Sequence, residues 1–321
     1  MNRPPDHATL QQAAHWYARL SAAPEDAGTQ EAWHRWHAQD ETHRQAWHYV
    51  ERIRQRFQPL QDDADGALHT LRSARESRRT RRQVLLGLGT LSVATLLGWS
   101  GWRSGGLPQT LLAWRADYRS GVGEVREISL VDGTRVWLNS ASALDVDFSV
   151  KRRLLLLRGG EILIETGRDP RPFLVETRQG RMRALGTRFS VTQQDGRTRL
   201  AVFEGAVEVR SAVGDASEVV QAGEQLGFDA QRIDALTPAV QARQAWARGL
   251  LLANDIPLSE FVAELARYRH GHLGVDPSIA GLRVMGTYPL HDTDRALAML
   301  ESALPLRVQR TLPWWVSLEA R

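Results

Sequence analysis

Nineteen consecutive residues, Val84–Trp102, carry no ionisable side chain. As a helix they would extend about 28 Å, close to the ~30 Å hydrocarbon core of a bilayer. Arg72, Arg75, Arg78, Arg79, Arg81 and Arg82 precede the stretch, whereas Arg103 and Arg115 are the nearest cations after it. Arginine beside a span is retained in the cytoplasm, so this asymmetry predicts one crossing with the N-terminus inside. Trp99 and Trp102 fall where an aromatic belt meets the outer interface. A buried soluble helix would show a polar face, and here only Thr and Ser interrupt the apolar residues. The preceding segment is too long for a cleaved signal peptide, and no A-x-A-like site follows.

The chain's 321 residues are enough for two or three domains. Its net charge of +4 is too small an excess to mark a nucleic-acid binder. The absence of cysteine excludes disulfides and thiolate metal sites. Tryptophan concentrates near both termini, with Trp16, Trp33, Trp36 and Trp47 at one end and Trp314 and Trp315 at the other. That placement suggests aromatic cores or aromatic interaction surfaces.

Residues 1–60 read as a small helical domain. Thr9-Leu10-Gln11-Gln12 has the form of a capping box, opening a helix with Leu10, Ala13, Ala14, Tyr17 and Leu20 on one face. Pro24 and Gly28 are expected to break the pattern. A short helix carrying Trp33 and Trp36 follows. Asp40 then caps a longer helix with the stripe Ala46, Val50, Ile53 and Phe57, expected to end before Pro59. Such a small core gains stability by binding a partner. His15, His34, His37, His43 and His48 fit no zinc spacing, so no metal and no cofactor is expected. Residues 61–83 form a polar, Arg-rich tether; within it Thr80-Arg81-Arg82-Gln83-Val84-Leu85 has the look of a twin-arginine export signal.

Beyond a linker at 103–114 the period changes to two. Alternation over Glu124–Leu130, the Asp132-Gly133 turn and Thr134–Leu138 predict a hairpin. Further strands are expected at Arg153–Leu157, Glu161–Glu165, Phe173–Thr177, Arg181–Leu185, Phe189–Thr192, Thr198–Phe203 and Ala206–Arg210. Gly160–Glu165 echoes Gly205–Arg210, which suggests a solenoid- or sandwich-like all-β domain over 115–230. No carboxylate pair, nucleophile elbow or phosphate loop occurs in context, so no substrate-turnover site is expected.

In the head, Ala13–Leu20, Trp33-His34-Arg35-Trp36 and His43-Arg44-Gln45-Ala46 carry a resemblance. In the β-rich part it rests on Leu130–Ser140, Arg158-Gly159-Gly160-Glu161, Pro172–Val175, Leu185–Val191 and Glu204–Val207. In this order, these segments resemble the FecR family of transmembrane anti-sigma regulators. The resemblance implies a cytoplasmic head that binds an extracytoplasmic-function sigma factor. It also implies an outer part that meets the signalling domain of a TonB-dependent outer-membrane receptor. The usual signal is an iron–siderophore or similar ligand, relayed with stepwise proteolysis by envelope proteases. Trp16, Trp33, Trp36 and Trp47 are the candidate sigma-factor contacts. Some relatives break at a Gly-Thr bond, which makes Gly186 and Thr187 a candidate self-cleavage pair through attack of the Thr187 hydroxyl on the Gly186 carbonyl. A glycine at a strand entry is the plainer reading of the same pair.

Residues 245–321 read as strand–helix–strand units. The strand at Gly249–Ala253 leads to a helix with Leu258, Phe261, Val262, Leu265 and Tyr268 on its face. Strands near Leu273–Val275 and Leu282–Tyr288, and a helix capped by Asp292, come next; Leu306–Arg310 and Trp314–Leu318 close a hairpin. The pattern resembles the short secretin/TonB N-terminal module, with Trp314 and Trp315 as candidate receptor contacts.

The expected fold class is therefore a multi-domain membrane protein: a small all-α cytoplasmic domain, one transmembrane helix over 84–102, an all-β periplasmic domain and a small α+β C-terminal module. The expected function is that of a single-pass inner-membrane anti-sigma factor, not an enzyme apart from self-cleavage and with no direct nucleic-acid contact. Its rival is a membrane-anchored periplasmic binding or scaffold protein without a sigma-factor partner.

Overall fold

The computed structural model describes residues 5–73, 116–214 and 216–321. The N-terminal part holds three helices: α1 (His7–Ala22), α2 (Ala27–Gln39) and α3 (Glu41–Ser73). Asp6 caps α1 by accepting from the Thr9 backbone N–H at 2.8 Å, three residues ahead of the expected cap. Asp26 caps α2 in the same way, so Gly28 lies in the first turn of that helix and does not break it. Helix α3 starts behind Asp40 as expected but runs on through Pro59 to Ser73. A proline ring removes one backbone donor and leaves the remaining turns able to form.

The β-rich part runs through β1 (Tyr118–Arg119), β2 (Arg126–Ser129), β3 (Arg135–Leu138), β4 (Ala143–Phe148), β5 (Arg153–Glu165), β6 (Phe173–Glu176) and β7 (Gly180–Ala184). It continues with β8 (Arg188–Gln194), β9 (Arg197–Glu204), β10 (Ala206–Ser211), β11 (Ser217–Gln221), β12 (Glu224–Phe228) and β13 (Thr237–Pro238). These thirteen strands form a single sheet folded about β5. The first half of β5 pairs with β4 and β6, and the second half with β3 and β8. The bend falls at Gly159-Gly160, where Gly160 has φ +90° and sits where a Cβ would strike Ser142. The two strands expected at 153–157 and 161–165 are thus one. Ile162, Ile164, Leu155, Phe173, Val175, Phe189, Val191 and Val202 fill the space inside the fold.

A 3-10 helix (Gln241–Arg248) leads to β14 (Leu250–Pro257), α4 (Leu258–Ala266), β15 (His272–Val275), β16 (Arg283–Pro289), α5 (Thr293–Ala303), β17 (Leu306–Leu312) and β18 (Trp315–Ala320). β14 pairs antiparallel with β16. β18 lies between β15, to which it is parallel, and β17, to which it is antiparallel.

This architecture corrects the expected fold class. Among the described residues no helix is long and apolar enough to cross a membrane, and Val84–Trp102 lies outside the described residues. The chain groups into two compact units. One compact unit joins the N-terminal helices to His270–Gly281 and Leu304–Arg321. The other joins the β-rich part, up to Arg269, to Leu282–Ala303. The reason lies in the large aromatics of β18 and its approach, which find their apolar cover in the helices of the head.

Candidate protein-interaction surfaces

In the first unit, α1 presents fully buried Ala13 and Ala14, with Leu10, Tyr17 and Leu20 beside them, and α3 presents Ala46, Trp47 and Val50. The small alanines allow close approach, and the C-terminal strands add Trp314 and Trp315 to the same core. Trp315 is fully buried, and its indole N–H donates to Gln11 Oε1 at 3.2 Å. Its ring stacks on His272, with centroids 3.9 Å apart, and meets Tyr49 edge-on at 6.1 Å. Tyr17 meets Trp314 edge-on at 5.5 Å. Burial raises the Tyr49 phenol above its ordinary pKa, and its hydroxyl lies 3.3 Å from His272 Nδ1.

The four head tryptophans come together here. Trp16 and Trp36 have centroids 6.3 Å apart, and Trp33 and Trp47 4.9 Å apart. Trp36 and Trp47 are buried, Trp16 and Trp33 half-buried. The Trp36 indole donates to Gln12 Oε1 at 3.1 Å, whereas the buried Trp33 indole N–H has no partner. An unpaired buried donor is costly, which makes Trp33 a place where an incoming acceptor would gain. Trp314 and Trp315 are covered by the head. The histidines serve the same cluster: His43 stacks on Trp36 at 4.6 Å, and burial first, then the neighbouring His48, holds His37 below the usual imidazole range. Arg81 and Arg82 lie outside the described residues.

In the second unit Gly186 has φ +78°, a backbone state that favours glycine. Thr187 is buried, and its backbone is gripped on both sides by Thr166. The Thr187 N–H donates to Thr166 Oγ1 at 2.9 Å, and the Thr166 N–H donates to the Thr187 carbonyl at 3.1 Å. The Thr187 hydroxyl is buried with no hydrogen-bond partner. It can act as a nucleophile on the preceding carbonyl only with a base, and none is bonded to it.

Two charged constellations were not legible as such. Glu161, almost fully buried, accepts from Asn139 Nδ2 at 3.0 Å and Arg267 Nη2 at 2.6 Å. Arg267 also reaches Glu264, and the Ser140 hydroxyl donates to the Arg267 carbonyl, so the end of α4 is held against the Asn139-Ser140 and Gly160-Glu161 motifs. The second constellation centres on buried Arg153, which pairs with buried Asp132 at 2.7 Å. Burial works against the Asp132 charge, but the hydrogen bonds from Arg153 and Thr134 outweigh it and hold the carboxyl below the usual range. The sequence signal for both was the motifs themselves, whose partners lie far along the chain.

The described residues thus combine a helical head with an aromatic core and a β-sheet folded about β5. Residues 116–208 match the family model of the FecR protein, and residues 11–53 match that of a domain of unknown function (DUF4880). The two matched segments contain motifs on which the resemblance to the FecR family rests. Two crystal structures of a "putative anti-sigma factor" from Parabacteroides distasonis ATCC 8503 share the fold. Each is 24% identical and covers 64% of this chain and 98% of its own, with TM-scores of 0.51 and 0.52. The comparison with curated proteins found no match.

Proposed function

We propose that this chain regulates a sigma factor, with the helical head as the binding element. The observation that carries the reading is the order of the two family matches on one chain, a head at 11–53 ahead of a FecR domain at 116–208. The description carried by the two structural relatives agrees with it. In its finer form, the partner is an extracytoplasmic-function sigma factor that contacts the cluster of Trp16, Trp33, Trp36 and Trp47. The signal enters from the signalling domain of a TonB-dependent receptor loaded with an iron–siderophore or similar ligand, and envelope proteases release the head. Trp314 and Trp315 are the candidate receptor contacts. Because they and the head bury each other, contact through them requires the head to leave, so the two partners would be coupled by competition for one aromatic surface.

The test is co-purification of the full chain with the extracytoplasmic-function sigma factors of its own cell. Recovery of a stoichiometric complex is the expected result, weakened at least tenfold by Trp33→Ser, which leaves the more deeply buried Trp36 and Trp47 in place. A chain that captures no sigma factor contradicts the reading. Self-cleavage between Gly186 and Thr187 is a separate part of it, supported by the unpaired Thr187 hydroxyl. Thr187→Ala is expected to abolish the two fragments, and their persistence would exclude the reaction.

A further inference from the structure

Three turns of the β-rich unit are gathered at one end by Arg153. Its guanidinium donates to Asp132 Oδ2 at 2.7 Å in the 130–134 turn, and to the carbonyls of Gly167 and Arg171 at 3.2 and 2.8 Å in the 166–172 loop. Arg171 then donates to the Ser149 carbonyl at 2.8 Å, which brings in the 149–152 turn. Loops fixed in this way on a rigid sheet are the usual carriers of binding. The motifs around Asp132-Gly133-Thr134, Pro172-Phe173 and Leu185-Gly186 converge here, and sigma-factor binding by the head gives them no role.

The tips of these turns are apolar. Val131 is 95% exposed and Val150 92%. The 166–172 loop lines an open cleft of about 450 Å³, together with Phe173, Arg183, Leu185 and Gly186. Leu185 is 55% exposed. Arg153 and Arg171 have carboxylate partners in Asp132 and Asp169. Among the described residues Arg168 and Arg183 have none and stand exposed on the cleft. The cleft therefore offers two guanidinium groups outside any ion pair, suited to carboxylates, together with the exposed Leu185 side chain.

We propose that this cleft binds an extended, carboxylate-bearing segment of a partner protein, alternating acidic and aliphatic residues. Charge complementarity sets the acidic residues against Arg168 and Arg183, and the aliphatic ones cover Leu185. A small anion would use the arginines alone and leave Leu185 bare. No head residue lines the cleft, so the proposal stands or falls independently of sigma-factor binding. Gly186 lines it, so an occupant would lie over the Gly186–Thr187 bond.

The test is fluorescence anisotropy of the full chain with a fluorescein-labelled Leu-Asp-Leu-Glu-Leu-Asp-Leu peptide at low ionic strength, against the same peptide with lysine at the acidic positions. Saturable binding of the acidic peptide alone is expected, weakened about tenfold by Arg183→Glu or Arg168→Glu and about threefold by Leu185→Ser. Arg178→Glu, at an exposed arginine outside the cleft, should leave it unchanged. These side chains are exposed, so the variants should fold. Absence of binding would overturn the proposal, as would equal binding of the lysine peptide or undiminished binding to Arg183→Glu. Displacement by free glutamate at the peptide's own concentration would also overturn it, in favour of a small-anion site.

Discussion

The two compact units bury their apolar residues by different means. In the β-rich unit the core is mostly aliphatic with a few phenylalanines, and neighbours such as β8 and β9 are joined by turns as short as Asp195-Gly196. In the helical unit the core is made of alanines and large aromatics, and the two ends of the chain meet in it, Gln11 bonding Trp315 across 304 residues of sequence. The first kind of core is assembled locally and contains many residues. The second is thin and depends on a few long-range contacts, which makes it the unit poised to exchange one partner for another.

The contrast can be broken most forcefully at Trp315. Replacing this fully buried ring with alanine should cost the helical unit about 3–5 kcal/mol. In hydrogen exchange of the full chain, amides of α1, α2, β17 and β18 should lose protection while those of β5 and β8 keep theirs. Loss of protection in β5 and β8 as well would mean that the two units unfold as one. In the β-rich unit the corresponding weak point is ionic. Arg153→Met leaves the Asp132 carboxylate buried without its cation, at a cost on the order of 3 kcal/mol or more. Chemical denaturation followed at Trp137 should show that loss, with protection in the head unchanged. The smallest effect is a pH dependence. The Asp132 carboxyl lies below its unfolded value, so its contribution is present above about pH 4 and is lost as pH falls towards the folded value. Stability of the β-rich unit should fall over that acid range, and Asp132→Asn should flatten that part of the profile while lowering stability at neutral pH.

Much of this arrangement was legible in the residues, and the exceptions have a common physical cause. Period-two alternation located β2, β3 and β6–β10 to within a few residues, because a half-buried strand writes its burial into its own sequence. Gly159-Gly160 reads as a turn between two strands, yet it bends a single strand, because Ser142 opposite leaves room for no side chain at Gly160. The head helices were visible from their apolar faces, but nothing in α1 announces that Tyr17 will meet Trp314. The same holds for Arg153, which reads as an ordinary strand residue until Asp132 and the 166–172 loop fold around it. The aromatic cluster of the head was legible as a set of residues. Its cover by β18 was not, because a contact of that sequence separation leaves no periodic trace.

The central claim is that the head is the sigma-factor-binding element. It is tested most directly by hydrogen exchange on the full chain with and without an extracytoplasmic-function sigma factor of its own cell. The account predicts new protection in α1–α3, centred on the turns carrying Trp33 and Trp47, with the amides of β5, β8 and β9 unchanged. Protection confined to the β-rich unit, with the head exchanging as it does in the free chain, would contradict it.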